Sequence, residues 1–159
     1  MKAILTTPLL ALLAMASCAG NKGSETTDSV ASIEPQTPAY ADVSGRWTIE
    51  EITLDADNHL SPSEQSPNRD QYISFDGRRY FIQTNCHTFS GDYTVTGDSI
   101  VMGDGAMTEI ACDNMATEDA VRKILPRIKT VSFENDSTAK LKGPGENEYI
   151  LLRKTSAQP

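Results

Sequence analysis

Histidine and aromatic side chains are scarce in these 159 residues, which hold two His, one Trp, five Tyr and four Phe. His59 and His87 cannot supply a histidine-rich metal centre, and neither Cys-x-x-Cys nor His-x-x-x-His spacing occurs, so no metal site is expected. Positive charge is short as well: 14 Lys and Arg against 22 Asp and Glu leave a net charge of −8. That balance excludes a phosphate-tracking surface, arguing against nucleic acid as a partner and against electrostatic docking on anionic headgroups. Nucleophile elbow, phosphate loop and zinc-binding helix signatures are all missing, so the chain reads as a non-enzyme without a cofactor. Apart from the N-terminus, no apolar run approaches the 20 or so residues that a membrane-spanning helix needs.

The N-terminus is different. Lys2 gives a positive start, and Ala3 to Ala16 is apolar except for Thr6, Thr7 and Pro8. Such a run is short for a span and matches the apolar region of a secretory signal. Leu13-Ala14-Met15-Ala16-Ser17-Cys18 resembles the lipobox of bacterial lipoproteins. The resemblance implies cleavage after residue 17 and a lipid on Cys18 as the sole membrane anchor. Removing residues 1–17 leaves 159 − 17 = 142 residues with a charge of 13 − 22 = −9, since Lys2 is the only charged residue lost. Ala19-Gly20 carries no aspartate retention signal, which favours an outer-membrane lipoprotein facing the periplasm or the cell surface.

From Ala19 to Ala41 the chain is rich in Ser, Thr, Glu and Pro, and its only aromatic is Tyr40. Such a segment cannot bury enough apolar surface to order itself and reads as a linker spanning roughly 25–30 Å. The folded part is expected over 44–155, preceded by the lipidated linker (18–43) and followed by a disordered tail, 156–159. With Cys18 lipidated, Cys86 and Cys112 remain as an even pair in an oxidising compartment, and a disulfide is the expected outcome.

The folded part reads mainly as strands. Trp47 to Leu54 alternates with one slip, and a β-bulge at Glu50-Glu51 would keep Trp47, Ile49, Ile52 and Leu54 inward. Asn58 to Arg69 reads as a loop. Asp76-Gly77 reads as a two-residue turn pairing Phe75 with Arg78 and Ile73 with Tyr80. Gly97-Asp98 reads likewise and pairs Val95 with Ile100 and Tyr93 with Met102. A three-residue loop, Asn135-Asp136-Ser137, pairs Phe133 with Ala139 and Val131 with Leu141. Glu148 to Arg153 is the last strand, its apolar run suggesting cover on both faces. Trp47, Phe75, Tyr80, Tyr93 and Phe133 fall on inward faces.

One helix is expected over Met115–Leu125, acidic in its first turn and basic near its end. Thr117, Val121, Ile124, Leu125 and Ile128 share its inner face, and Pro126 ends or kinks it.

Cys86-His87-Thr88-Phe89-Ser90-Gly91-Asp92-Tyr93, then Gly97-Asp98, then Thr108-Glu109-Ile110-Ala111-Cys112, together resemble the META domain of the HslJ family over residues 44–154. Asn85, His87 and Ile110 stand where that family has Gly, Asn and Met. The resemblance implies an α+β, mainly β domain: an antiparallel sheet curled into a cracked, open barrel around one helix. It also implies envelope-stress lipoproteins with a suggested likeness to lipid-binding secretin pilots. Trp47, Asn85, His87, Phe89 and Tyr93 are the candidate binding residues. The expected activity is that of a monomeric, membrane-tethered binding module for an envelope protein, the alternative being a carrier of a lipid tail or other apolar ligand.

Overall fold

The computed structural model describes residues 42–155. The signal segment, Cys18, the linker up to residue 41 and the tail after 155 lie outside the described residues. Nine strands form one antiparallel sheet: β1 (Gly45–Asp55), β2 (Asn58–Leu60), β3 (Tyr72–Asp76), β4 (Arg79–Gln83), β5 (Thr88–Thr96), β6 (Ser99–Met107), β7 (Thr130–Asn135), β8 (Thr138–Lys142) and β9 (Tyr149–Lys154). Helix α1 (Pro62–Gln65) is a single turn, and α2 (Ala116–Ile124) continues as a 3-10 turn, Leu125–Arg127.

Eight of the strands close into a barrel, so the expected open, cracked sheet is corrected. Strand β1 makes the closure. It is 11 residues long, pairs with β3 through Gly45–Thr48, and pairs with β9 from Trp47 to Thr53. A register shift between Ile49 and Glu51 is the bulge expected there; it keeps Trp47, Ile49 and Ile52 buried. The barrel's thinnest seam is β6–β7. A single residue pair, Ser99 with Thr130, joins those strands, flanked by Ile100 N–H to Lys129 O (2.9 Å) and Val131 N–H to Asp98 O (2.8 Å).

Two of the three hairpin registers are as read. Val95 faces Ile100, Tyr93 faces Met102, Phe133 faces Ala139 and Val131 faces Leu141. The loop at Asn135 is shorter than expected, because Asn135 still pairs with Thr138 across a bulge. The first hairpin turns one residue later than expected, at Gly77-Arg78, with Phe75 opposite Tyr80 and Ile73 opposite Ile82. Gly77 takes the first turn position with φ +58°, in the left-handed region that glycine enters freely. The same side chains stay inward because the pairing moves by two. Part of the expected Asn58–Arg69 loop is ordered as β2 and α1, whose polar residues conceal them. Strand β9 alternates, Ile150 and Leu152 buried and Leu151 half-buried, so it is not equally covered on both faces.

Helix α2 sends Thr117, Glu118, Ala120, Val121 and Ile124 into the interior. Pro126 converts its last turn to 3-10 rather than ending it. The core surrounds Trp47, Ile52, Phe75, Tyr80, Ile82, Ile100, Ile124 and Leu141, all at most 2% exposed. Trp47 also donates its indole N–H to Val43 O at 2.7 Å, which draws Val43 into the fold. Phe133 is the exception among the expected inward rings. It is 38% exposed and touches Trp47 from the rim, centroids 6.0 Å apart.

Candidate functional site

Two constructions sit where α2 meets the barrel. The first is a polar fastening between the β4–β5 connection and the helix. Glu118, wholly buried, accepts at Oε1 from the Thr84 hydroxyl (2.7 Å) and from the backbone N–H groups of Cys86 (2.9 Å) and His87 (3.3 Å). His87, 3% exposed, sets Nε2 2.7 Å from Ile110 O. Asn85 donates from Nδ2 to Asn114 O at 2.9 Å, and Cys86 and Cys112 lie at disulfide distance, Cα atoms 6.5 Å apart. Three ties therefore hold the Thr108–Asn114 loop against the β4–β5 connection. Among the described residues, the buried Asn85 Oδ1, His87 Nδ1, Thr117 Oγ1 and Glu118 Oε2 have no hydrogen-bond partner. Chemically this is a clamp: Glu118 Oε1 is taken by the Thr84 hydroxyl and two backbone donors, and both Glu118 and His87 are shut away from solvent.

The second construction is a groove beside β6. After Ile100 this strand leaves β7, and the C-terminal end of α2 occupies the space a neighbouring strand would take. Tyr80, Phe89, Met102, Met107, Arg122 and Leu125 line a cavity of about 260 Å³ between them. The local sequence explains the opening. Gly103-Asp104-Gly105-Ala106 has little β propensity, and a bulge facing Gly91–Tyr93 twists the strand away from β7. The Tyr80 ring fits under this stretch because Gly91 and Gly105 have no side chain. A Cβ on Gly91 would lie 2.6 Å from Tyr80 Oη, and one on Gly105 would lie 2.5 Å from it. Tyr80 donates to Gly103 O at 3.2 Å. Burial, and then the charges of Asp104 and Asp92, push its hydroxyl pKa up, so it remains a donor. Arg122 rests on the Met107 sulfur at 3.5 Å.

The five candidate binding residues therefore do not converge. Trp47 and Tyr93 belong to the interior, Tyr93 edge-on to Phe75 with centroids 4.8 Å apart. Asn85 and His87 belong to the fastening, and only Phe89 reaches the groove. Glu118 was legible only as a helix-dipole charge. The groove's signal was the glycine spacing at 103 and 105, opposite Gly91, since glycine inside a strand marks close approach. Among the described residues no group of three or more His, Cys, Asp or Glu is placed to hold a metal ion.

The family model described as META domain matches residues 41–156. No curated protein matches the sequence. Among solved structures, an NMR structure of a protein from Burkholderia xenovorans is similar at 14% identity and a TM-score of 0.58. The match covers 70% of this chain and 82% of that one. A duf4847 family protein from Bacteroides vulgatus, solved by crystallography, is similar at 12% identity and a TM-score of 0.50, covering 72% of this chain and 95% of that one. At such identities the likeness concerns the fold alone.

Proposed function

The chain belongs to the META domain family, and from that premise we infer that it is a non-catalytic interaction module of the cell envelope, tethered by lipid on Cys18. The groove beside β6 is its contact site, and the partner is an envelope protein. Like the HslJ-type domains its motifs resemble, it would serve in envelope stress, from the outer membrane. One observation carries the reading: the groove is a mainly apolar recess lined by Tyr80, Phe89, Met102 and Leu125, while Trp47, Phe75 and Tyr93 are buried in the core. Its volume, about 260 Å³, falls below the roughly 300–1,000 Å³ of drug-sized ligand pockets. That supports an occupant on the scale of side chains over an enclosed lipid tail, which is the second reading.

The test is photo-crosslinking in cells from a reactive residue placed at Ala106, beside the groove, with Thr48 on the far wall as control. We expect a discrete adduct from Ala106 only, lost with Cys18→Ser, which should also release the protein from the membrane fraction. Adducts from both positions, or from neither, would remove the groove as the site. Wild-type protein found free of membranes would remove the tether.

A further inference from the structure

We propose that Met107 is an oxidation site whose sulfoxide is captured by Arg122 across the groove, shutting out an apolar occupant. The shutting rests on the interaction-module reading; the oxidation and its capture do not.

The methionines at 102, 107 and 115 have different surroundings. Met102 is 9% exposed and belongs to the core. Met107 is half-buried and lines the groove, opposite Phe89 on β5. Met115, just ahead of α2, is half-buried too. A soluble oxidant therefore reaches Met107 and Met115 before Met102. Among the described residues only Met107 has a hydrogen-bond donor at its sulfur, Arg122 Nη2 at 3.5 Å. Arg122 is exposed and forms no salt bridge among the described residues, so its N–H groups can turn to a better acceptor.

A thioether sulfur is only a weak acceptor. With hydrogen peroxide, one oxygen atom passes to a sulfur lone pair: an S–O bond forms, the O–O bond breaks, the sulfur loses two electrons and water leaves. The side chain becomes polar and chiral, and its new oxygen accepts hydrogen bonds far better than the sulfur did. Directed at Nη2, that oxygen makes a charge-assisted bond of about 2.7–2.9 Å, roughly twice as strong as a neutral one. The other polar side chains on the groove do not compete: Tyr80 donates to Gly103 O, and Asp104 is an acceptor. Capture holds Arg122, on α2, against β6, and so draws a cation across the recess lined by Tyr80, Phe89 and Leu125. A cavity of about 260 Å³ has little room to lose. An apolar side chain entering it would cover a guanidinium and a sulfoxide instead of a thioether, and burying such groups is unfavourable.

The experiment treats the purified full chain with hydrogen peroxide and maps sulfoxides by peptide mass spectrometry. We expect Met107 to oxidise about tenfold faster than Met102 in the folded protein, and both at the same rate in urea. Equal rates in the folded protein would overturn the site. Capture is read by urea unfolding before and after oxidation in a Met102→Leu/Met115→Leu background, which leaves Met107 as the one methionine after residue 17. The stability lost on oxidation should be about twice as large when Arg122→Leu is added. An equal loss would remove Arg122 from the proposal. In cells, a peroxide pulse should cut the Ala106 adduct several-fold, and methionine sulfoxide reductase should restore it. With Met107→Leu the adduct should resist the pulse, whatever its starting level. A matching loss in that variant would overturn the switch. Absence of any adduct before peroxide would remove the groove reading and the switch with it, while the mapped sulfoxide and its dependence on Arg122 would stand.

Discussion

The Tyr80 ring lies across Gly91, close enough that a Cβ there would come within 2.7 Å of Cε1 and 2.8 Å of Cζ. The Gly within Phe-Ser-Gly-x-Tyr is therefore an absence shaped to a ring on the neighbouring strand, not a hinge. Gly91→Ala should destabilise by about 1–3 kcal/mol, as overpacking does. In the Tyr80→Leu background the same substitution should cost much less. Urea unfolding followed through Trp47 would measure both, and equal costs in the two backgrounds would refute the packing explanation.

Glu118→Ala leaves the part-buried Cys86 N–H without its acceptor, whereas the His87 N–H keeps Thr84 Oγ1 at 3.1 Å. A loss of about 1–3 kcal/mol is expected, the cost of one such donor left unpaired. Glu118→Gln keeps the accepting oxygen and should lose less. Faster amide exchange at Cys86 in the Ala variant, ahead of global unfolding, is the accompanying signature.

Reduction of the Cys86–Cys112 pair, separated by 26 residues, should lower stability by about 3.5 kcal/mol on the chain-entropy model. The fold should persist, because His87 and Asn85 still bind the same loop. Thermal melts with and without reductant test this. A loss under about 1 kcal/mol would mean that the reduced unfolded chain retains structure.

Hydrogen bonds from Thr53 and then Tyr149 hold the Glu51 carboxyl below its ordinary value of 4.5. A depressed folded-state pKa stabilises fully above the unfolded value and loses that contribution as the pH falls through the folded one. Stability should therefore decline below about pH 4.5 more steeply in the wild type than in Glu51→Gln. Parallel acid profiles for the two proteins would show that these bonds do not survive in solution.

The strands were legible wherever a turn signal and an alternating pattern agreed, as at Gly97-Asp98, and the Glu50 bulge was legible from a single slip in alternation. The first hairpin misled because Asp76-Gly77 and Gly77-Arg78 satisfy the same pattern and both place Gly77 in the turn; only the pairing of Asp76 with Arg79 separates them. Closure was not legible. It depends on β1 meeting β9, Trp47 opposite Lys154 at a separation of 154 − 47 = 107 positions, and no local pattern reports a pairing of that range. Glu118 was misread for a related reason. Its donors come from a loop more than thirty positions upstream, while the rule for acidic residues in a first turn assumes solvent.

Strand β1 holds hands with the last strand made. Trp47 pairs opposite Lys154, and Lys154 N–H in turn reaches Ser137 O. Whatever order the hairpins form in, the wall of the barrel cannot be completed until β9 has been made. Until then β1 waits with one edge bare and Trp47 uncovered. The domain's greatest exposure to chaperones, proteases and wrong partners therefore comes before β9 docks rather than after.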